Sequence, residues 1–315
     1  MNNSILGLGN AIIDIFVNIN EDFLIQNNLN KGTMKLFNEN DFFELKKKIT
    51  INKIVAGGSV ANTMAGISYL KGNASFIGKI NKDELGRLYK SSLEEINVKF
   101  FYSEKKENLP TGASIILITP DSERTMCTYL GISSKLSAED INEKNILNTK
   151  LIFLEGYLWD KGVSEKMFKH VVHLAKKNKI KISMSLSDIF CVNRHKNDFI
   201  NLLKNDLDLL IGNEKEFIEL TNCSNLLEAI NKLKNYNKLI IITRSENGSL
   251  AINNNEVINC ESIKVNKILD LTGAGDMFAA GFLKEYMDKS ELKKCLHSGS
   301  KLASKIIQKI GARIT

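Results

Sequence analysis

The chain has 315 residues, 43% of them hydrophobic and 25% charged, which suits one large open α/β unit with a small appendage. Its formal net charge of +7 comes from 43 basic and 36 acidic side chains, and the runs Lys46-Lys47-Lys48, Lys176-Lys177 and Lys293-Lys294 fall on stretches that read as solvated helix faces, without the stacking aromatics a nucleic-acid surface needs. Five scattered cysteines (Cys127, Cys191, Cys223, Cys260, Cys295) suggest neither a disulfide framework nor a zinc site, and no apolar run or N-terminal signal pattern suggests a membrane, so a cytoplasmic protein is expected.

In chain order, residues 5–20 read as one strand, cut by Gly7 and Gly9, leading into a second with alternating Ile13, Ile15 and Val17. Helical spacing covers 39–50, a small-residue helix 59–70 follows Gly57-Gly58, and a short strand at 74–78 precedes an amphipathic helix at 83–95. From about 98 to 131 the pattern changes to alternating strands with turn residues. Beyond residue 140, strand-like runs at 151–154, 181–186, 207–211 and 239–243 alternate with helical stretches at 162–178, 196–204, 214–220 and 225–236. That rhythm predicts βαβ units and a parallel sheet, with chemistry at the carboxyl ends of its strands. The stretches near 12–37 and 98–131 fall outside it and predict a small separate sheet, discontinuous in sequence. With only Pro110 and Pro120 in the chain, turns must depend on Gly and Asn.

Two glycine-rich turns open helices. At Asp270-Leu271-Thr272-Gly273-Ala274-Gly275-Asp276 the turn runs into an apolar, small-residue helix. Unpaired N–H groups of Gly273, Ala274 and Gly275 would make an anion nest there. Asp276 then either caps the helix or takes a proton from a hydroxyl that attacks a group held in the nest. At Ala56-Gly57-Gly58-Ser59-Val60-Ala61-Asn62 the Asn62 amide offers a donor and an acceptor to a polyol. Asp14 is either an exposed strand-end acid or an acceptor for two adjacent hydroxyls. Gly7-Leu8-Gly9-Asn10-Ala11-Ile12 lacks the third glycine of a dinucleotide fingerprint, and the stretch from Gly72 to Lys79 has the wrong spacing for a phosphate-binding loop. His170 and His173 have no metal-binding companions.

Together, the two glycine-rich turns, about 210 residues apart with the βα rhythm between them, resemble the paired signatures of the ribokinase (phosphofructokinase B) family. The resemblance implies a single 1–315 kinase domain, doubly wound with a mostly parallel sheet, and a small β-sheet lid from about 12–37 and 98–131. It implies ATP and Mg²⁺, a base at Asp276 with an anion hole at Gly273, Ala274 and Gly275, and hydroxyl ligands at Asp14, Gly57, Gly58 and Asn62. Asn213-Glu214-Lys215-Glu216 is similar to the family's N-x-x-E element, placing Asn213 near phosphates and Glu216 near hydrated Mg²⁺. Thr243 and Gly248 resemble an ATP-binding stretch in which Ser245 replaces a common glycine, and Ser300 lies on what resembles the adenine-side helix. Asp270 and Thr272 resemble positions that hold a monovalent cation, K⁺, in relatives. Three stretches resemble the adenosine kinase branch: 123–131 with Arg124, 153–159 with Tyr157 and Trp159, and 185–190 with Phe190. The aromatics then flank a purine or belong to the core, and Arg124 reaches the transferred phosphate or makes a lid salt bridge. A nucleoside kinase is the first expectation, a sugar kinase the second, and a non-catalytic binder the third. The lid sheet is a candidate homodimer surface.

Overall fold

The computed structural model describes residues 4–102, 105–121, 123–161 and 164–314. Its strands are β1 (Ser4–Leu8), β2 (Ile12–Asn18), β3 (Met34–Leu36), β4 (Lys53–Ala56), β5 (Asn73–Ile77), β6 (Lys99–Phe100), β7 (Gly112–Ile118), β8 (Arg124–Tyr129), β9 (Leu151–Glu155), β10 (Lys181–Ser185), β11 (Leu209–Asn213), β12 (Leu239–Thr243), β13 (Ser249–Asn253) and β14 (Glu256–Cys260). Nine form one sheet in the order β14-β13-β12-β11-β10-β9-β1-β5-β6. It is parallel except at β12-β13-β14, where two antiparallel pairings close the edge. Five form a second, smaller sheet, β3-β8-β7-β2-β4.

The large sheet is buried on both faces, as parallel sheets are, and its residues divide by parity. Ile5, Phe76, Leu151, Phe153, Ile211 and Ile241 join one apolar core, while Leu6, Ile152, Leu154, Leu210, Ile240 and Ile242 join the other. The smaller sheet sends Ile13, Ile15, Val17, Ile115, Leu117 and Cys127 into the first core. That shared core fixes the small sheet over one end of the large one.

Asparagine shapes much of the local backbone. Asn20, Asn38, Asn142, Asn213 and Asn225 cap helix N-termini through their side chains. Asn28, Asn97, Asn222, Asn237 and Asn254 take positive φ at turns, which their short polar side chains tolerate.

The small sheet differs from expectation in its members. Lys99–Phe100 pairs with β5 in the large sheet, so the second sheet takes nothing from the start of the 98–131 stretch. It gains β4 instead, paired antiparallel to β2. Alternation in Lys53–Ala56 is too short to show, with only Ala56 buried. The helix read at 196–204 begins at Ile189, because Asp188 caps it by accepting from Cys191 N at 2.6 Å. Among the described residues no helix is long and apolar enough to cross a membrane.

Candidate active site

The two glycine-rich turns meet in space. Helices Ser59–Tyr69 and Ala274–Met287 pack face to face, and a Cβ built on Gly66 would lie 2.6 Å from Ala280 Cβ, so only small residues allow the approach. The approach brings both N-termini together. Ser59 Oγ donates to Asp276 Oδ1 at 2.7 Å, and Asn62 Nδ2 donates to Oδ2 at 3.0 Å. Burial pushes the Asp276 carboxyl up to about 6, against the two hydrogen bonds and the nearby Arg313 charge. Gly273 caps this helix at φ +77°, and a Cβ on Gly275 would meet open space. An anion therefore has room beside the nest and next to Asp276.

Asp14 reaches the same point from mid-β2, across the small sheet from Val55 and Ser114. Its carboxyl lies where a Gly57 side chain would be, with three atoms 2.3–2.5 Å from a built Cβ. Burial raises Asp14 to about 7; Arg313 and Arg124 pull it down and Asp276 pushes it up. The pair thus sits with proton affinities near neutrality, one carboxyl able to take a hydroxyl proton and the other able to accept hydroxyls.

Two charged residues in this centre escaped the sequence reading. Glu155 ends β9, buried, accepting from Asn10 Nδ2 and Val60 N at 3.3 Å each, and burial lifts it to about 8. Arg313, near the C-terminus, donates from Nε to Asn62 Oδ1 at 2.9 Å, from Nη2 to Gly57 O at 3.1 Å and from Nη1 to Ser92 Oγ at 3.3 Å. Asp14, Arg124 and Arg313 all line a cleft of about 1350 Å³ between the small sheet and the body, floored also by Leu88 and Ile314.

Arg124 makes a salt bridge. From the first residue of β8 it donates to Asp270 Oδ2 at 2.5 Å and to Thr272 Oγ1 at 2.6 Å, with its guanidinium 5.4 Å from the Phe16 ring. The Asp270 carboxylate also accepts from Thr272 N at 2.9 Å and from Gly311 N at 2.6 Å. In this structure the Asp270 carboxylate, read from the sequence as a monovalent-cation ligand, takes the Arg124 guanidinium instead. The side chains are only 13% and 2% exposed, so water does not screen the pair. Arg124→Met is expected to cost about 3 kcal/mol, the range for removing one partner of a buried pair. Urea denaturation measures it, and a loss under about 0.5 kcal/mol would place the pair with exposed salt bridges.

The nucleotide-side candidates follow the strand ends. Asn213 and Thr243 are register partners at the carboxyl ends of β11 and β12. Asn213 and Glu216 form a capping box, with Asn213 Nδ2 on Glu216 Oε1 at 2.6 Å and Asn213 N on Oε2 at 2.9 Å. Burial raises Glu216 to about 7. Ser245 takes φ +51°, the left-handed conformation a glycine adopts freely, so the loop to Gly248 keeps its shape without one. Ser300 is buried on helix Leu292–Ile306.

The aromatics divide. Tyr157 donates to Asp188 Oδ2 at 2.8 Å and walls a narrow recess with Asn10, Leu130, Ser133, Ser134 and Leu136. Trp159 packs on Phe168 and Phe199 as core. Phe190 is 55% exposed on the first turn of its helix and lines neither the cleft nor the recess.

Residues 35–315 match the pfkB family carbohydrate kinases. The chain belongs to that family. It is 33% identical to a probable sugar kinase from Rhizobium etli, covering 99% of this chain and 95% of that one at TM-score 0.93. It is 32% identical to the adenosine kinase of Sinorhizobium meliloti, covering 100% and 96% at TM-score 0.94. A 5-dehydro-2-deoxygluconokinase from Halalkalibacterium halodurans is 29% identical over 84% of this chain and 83% of its own length. Family membership makes the chain a phosphotransferase with an alcohol acceptor and implies ATP as phosphate donor.

Proposed function

We propose that this pfkB-family kinase transfers the γ-phosphoryl of ATP to the primary 5′-hydroxyl of a nucleoside, adenosine first. The observation that carries the nucleoside reading is the similarity along the whole chain to an adenosine kinase, and beside the hydroxyl-binding turn lies a recess on the base side. Asn10 lines it, and the Asn10 carbonyl lies 2.5 Å from a Cβ built on Gly58, so the recess adjoins the turn at which a ribose would be held. An aromatic wall with polar groups at its edge suits a purine.

In this scheme Asp276 takes the proton from the attacking hydroxyl, and the N–H groups of Gly273, Ala274 and Gly275 receive the negative charge of the transferring group. The small sheet acts as a lid that excludes water, with Arg124 as its clasp. Asn213, Thr243, Gly248, Thr272 and Ser300 hold the nucleotide. The residues fit a Mg²⁺ that arrives with the nucleotide. Among the described residues no group of three or more His, Cys, Asp or Glu could hold a metal, and Glu216 keeps spare lone pairs for water-mediated contact. When bound, the ion would neutralise phosphate charge.

The narrowness of the recess, about 10 Å³ as it stands, favours a second reading in which the acceptor is a free sugar or sugar acid. A purine would need this recess to widen, and Ser133 and Ser134 of the Gly131–Lys135 turn form part of its wall. The test is ADP release with MgATP against adenosine, inosine, ribose, fructose and 5-dehydro-2-deoxygluconate. Adenosine is expected to exceed the free sugars by about 100-fold or more in kcat/KM. Turnover of a sugar with none of adenosine would overturn the nucleoside reading and keep the site.

A further inference from the structure

We propose that Arg313 is a positioning residue for phosphoryl transfer: its guanidinium fixes the Asn62 amide so that Nδ2 faces Asp276, and it holds a permanent positive charge beside Asp14 and Asp276. The inference rests on the reading of Asp276 as the base.

A side-chain amide is nearly symmetric in shape, and only its partners decide which end is oxygen. Asp276 presents carboxylate oxygens to Asn62, and a flipped amide would set oxygen against oxygen. The Arg313 guanidinium, which only donates, removes that alternative from the other side, because Nε donates to Asn62 Oδ1 at 2.9 Å. A guanidinium stays protonated throughout the working pH range, so the polarity it imposes does not lapse. Nor is the group loosely placed. Nη2 and Nη1 are held by Gly57 O and Ser92 Oγ, giving the three nitrogens three acceptors from two different helices and the turn between strand and helix. The segment leading to it is pinned as well. Gly311 N donates to Asp270 Oδ2 at 2.6 Å, and Ala312 Cα sits 2.7 Å from a Cβ built on Gly273. A residue that merely filled space would need no match of donors to acceptors. The charged and titratable groups that act on it are Tyr89, Asp14 and Asp276, and Arg124 acts on the same Asp14. Arg313 and Arg124 are the cations in that set, and Arg313 is the one linked to Asp276 through a single amide.

The experiment follows the Asp276 carboxyl by carbon NMR in ligand-free protein, alongside the pH profile of kcat/KM with the acceptor that turns over fastest. In Arg313→Met the Asp276 titration and the acidic limb of the profile are expected to move up together by about 1 pH unit, the lower range for losing a nearby opposite charge. The turnover number is expected to fall about tenfold or more as the amide loses its orientation. Arg313→Lys keeps a charge but cannot reach Asn62, Gly57 and Ser92 at once. It is expected to titrate close to the parent while turning over more slowly. An unmoved Asp276 titration in the Met variant overturns the proposal. Should that variant not fold, a Lys variant with parental turnover number overturns it instead. The titration needs no acceptor, so a parent enzyme inert toward every acceptor would refute the reading of function while leaving this result readable.

Discussion

Asp276→Asn is expected to lower the turnover number by about 10²–10⁴, the usual worth of a positioned general base, while acceptor affinity changes little. Raised to about 6, the Asp276 carboxyl is ionised at pH 7.5 yet basic enough to share a proton with the attacking hydroxyl. Asparagine has nearly the same shape but offers one oxygen and one NH₂ where the carboxylate offers two acceptors. Ser59 Oγ and Asn62 Nδ2 both donate to this position, so one of them must face the new NH₂. Ser59 can rotate its hydroxyl. Asn62 cannot flip, because Arg313 Nε holds its oxygen. The substitution therefore removes the base and leaves the hydroxyl-binding side chains in place, which is why the effect falls on turnover rather than binding. ADP-release kinetics with calorimetric acceptor titration separates the two. Full turnover in Asp276→Asn would remove the base assignment, and loss of binding with unchanged turnover would make Asp276 a hydroxyl ligand instead.

What the sequence disclosed follows from the range of the interactions. Parallel strands buried on both faces write themselves as apolar runs, so β9 to β12 were legible. β13 and β14 were not: β13 is buried but mixes Ser249 and Asn253 with its apolar residues, and the edge strand β14 is only partly covered, with no periodicity to read. Both glycine turns were visible because a close backbone approach requires glycine itself, as the Asp14 carboxyl over Gly57 demands. Arg313 and Glu155 were hidden for the opposite reason: each acts through partners more than 90 residues away in sequence. A composition signal did exist. Only five of the 43 basic residues are arginine (Arg87, Arg124, Arg194, Arg244, Arg313), and two of those five line the cleft. A chain that otherwise prefers lysine places arginine here where a rigid fork of donors is used. The aromatic stretches divide because a ring's identity says nothing of its surroundings: Tyr157 walls the recess, Trp159 packs on Phe168 and Phe199, and Phe190 is 55% exposed.

Raising the pH from 5.5 to 8 is expected to destabilise the ligand-free chain. Four buried carboxyls lie above their ordinary values of 3.8 for Asp and 4.5 for Glu: Asp276 at about 6, Asp14 and Glu216 at about 7, and Glu155 at about 8. Desolvation is the largest cause for each, disfavouring the charged form. Across this window the folded chain holds protons that the unfolded chain has released, so stability is fully present below about pH 4 and is lost as pH rises through 6 to 8. The carboxyls shifted the other way do not offset this. Asp121, held down at about 2 by Lys31, Asp140, held down by hydrogen bonds from Lys79, Ser137 and Lys105 against its own burial, and Glu44 and Glu285, held down by hydrogen bonds from Lys47 and from Ser290 and Lys294, are ionised throughout the window. One unit on one carboxyl is worth about 1.4 kcal/mol. With four moving in the same direction, Tm is expected to fall by about 5 °C or more between pH 5.5 and 8 at constant ionic strength. Saturating acceptor should flatten the slope, because hydroxyls donated to Asp14 favour its carboxylate and restore what burial removed. Thermal melts with and without acceptor measure both effects. A Tm that rises with pH would mean that water already reaches these carboxylates and that burial does not set their proton affinities.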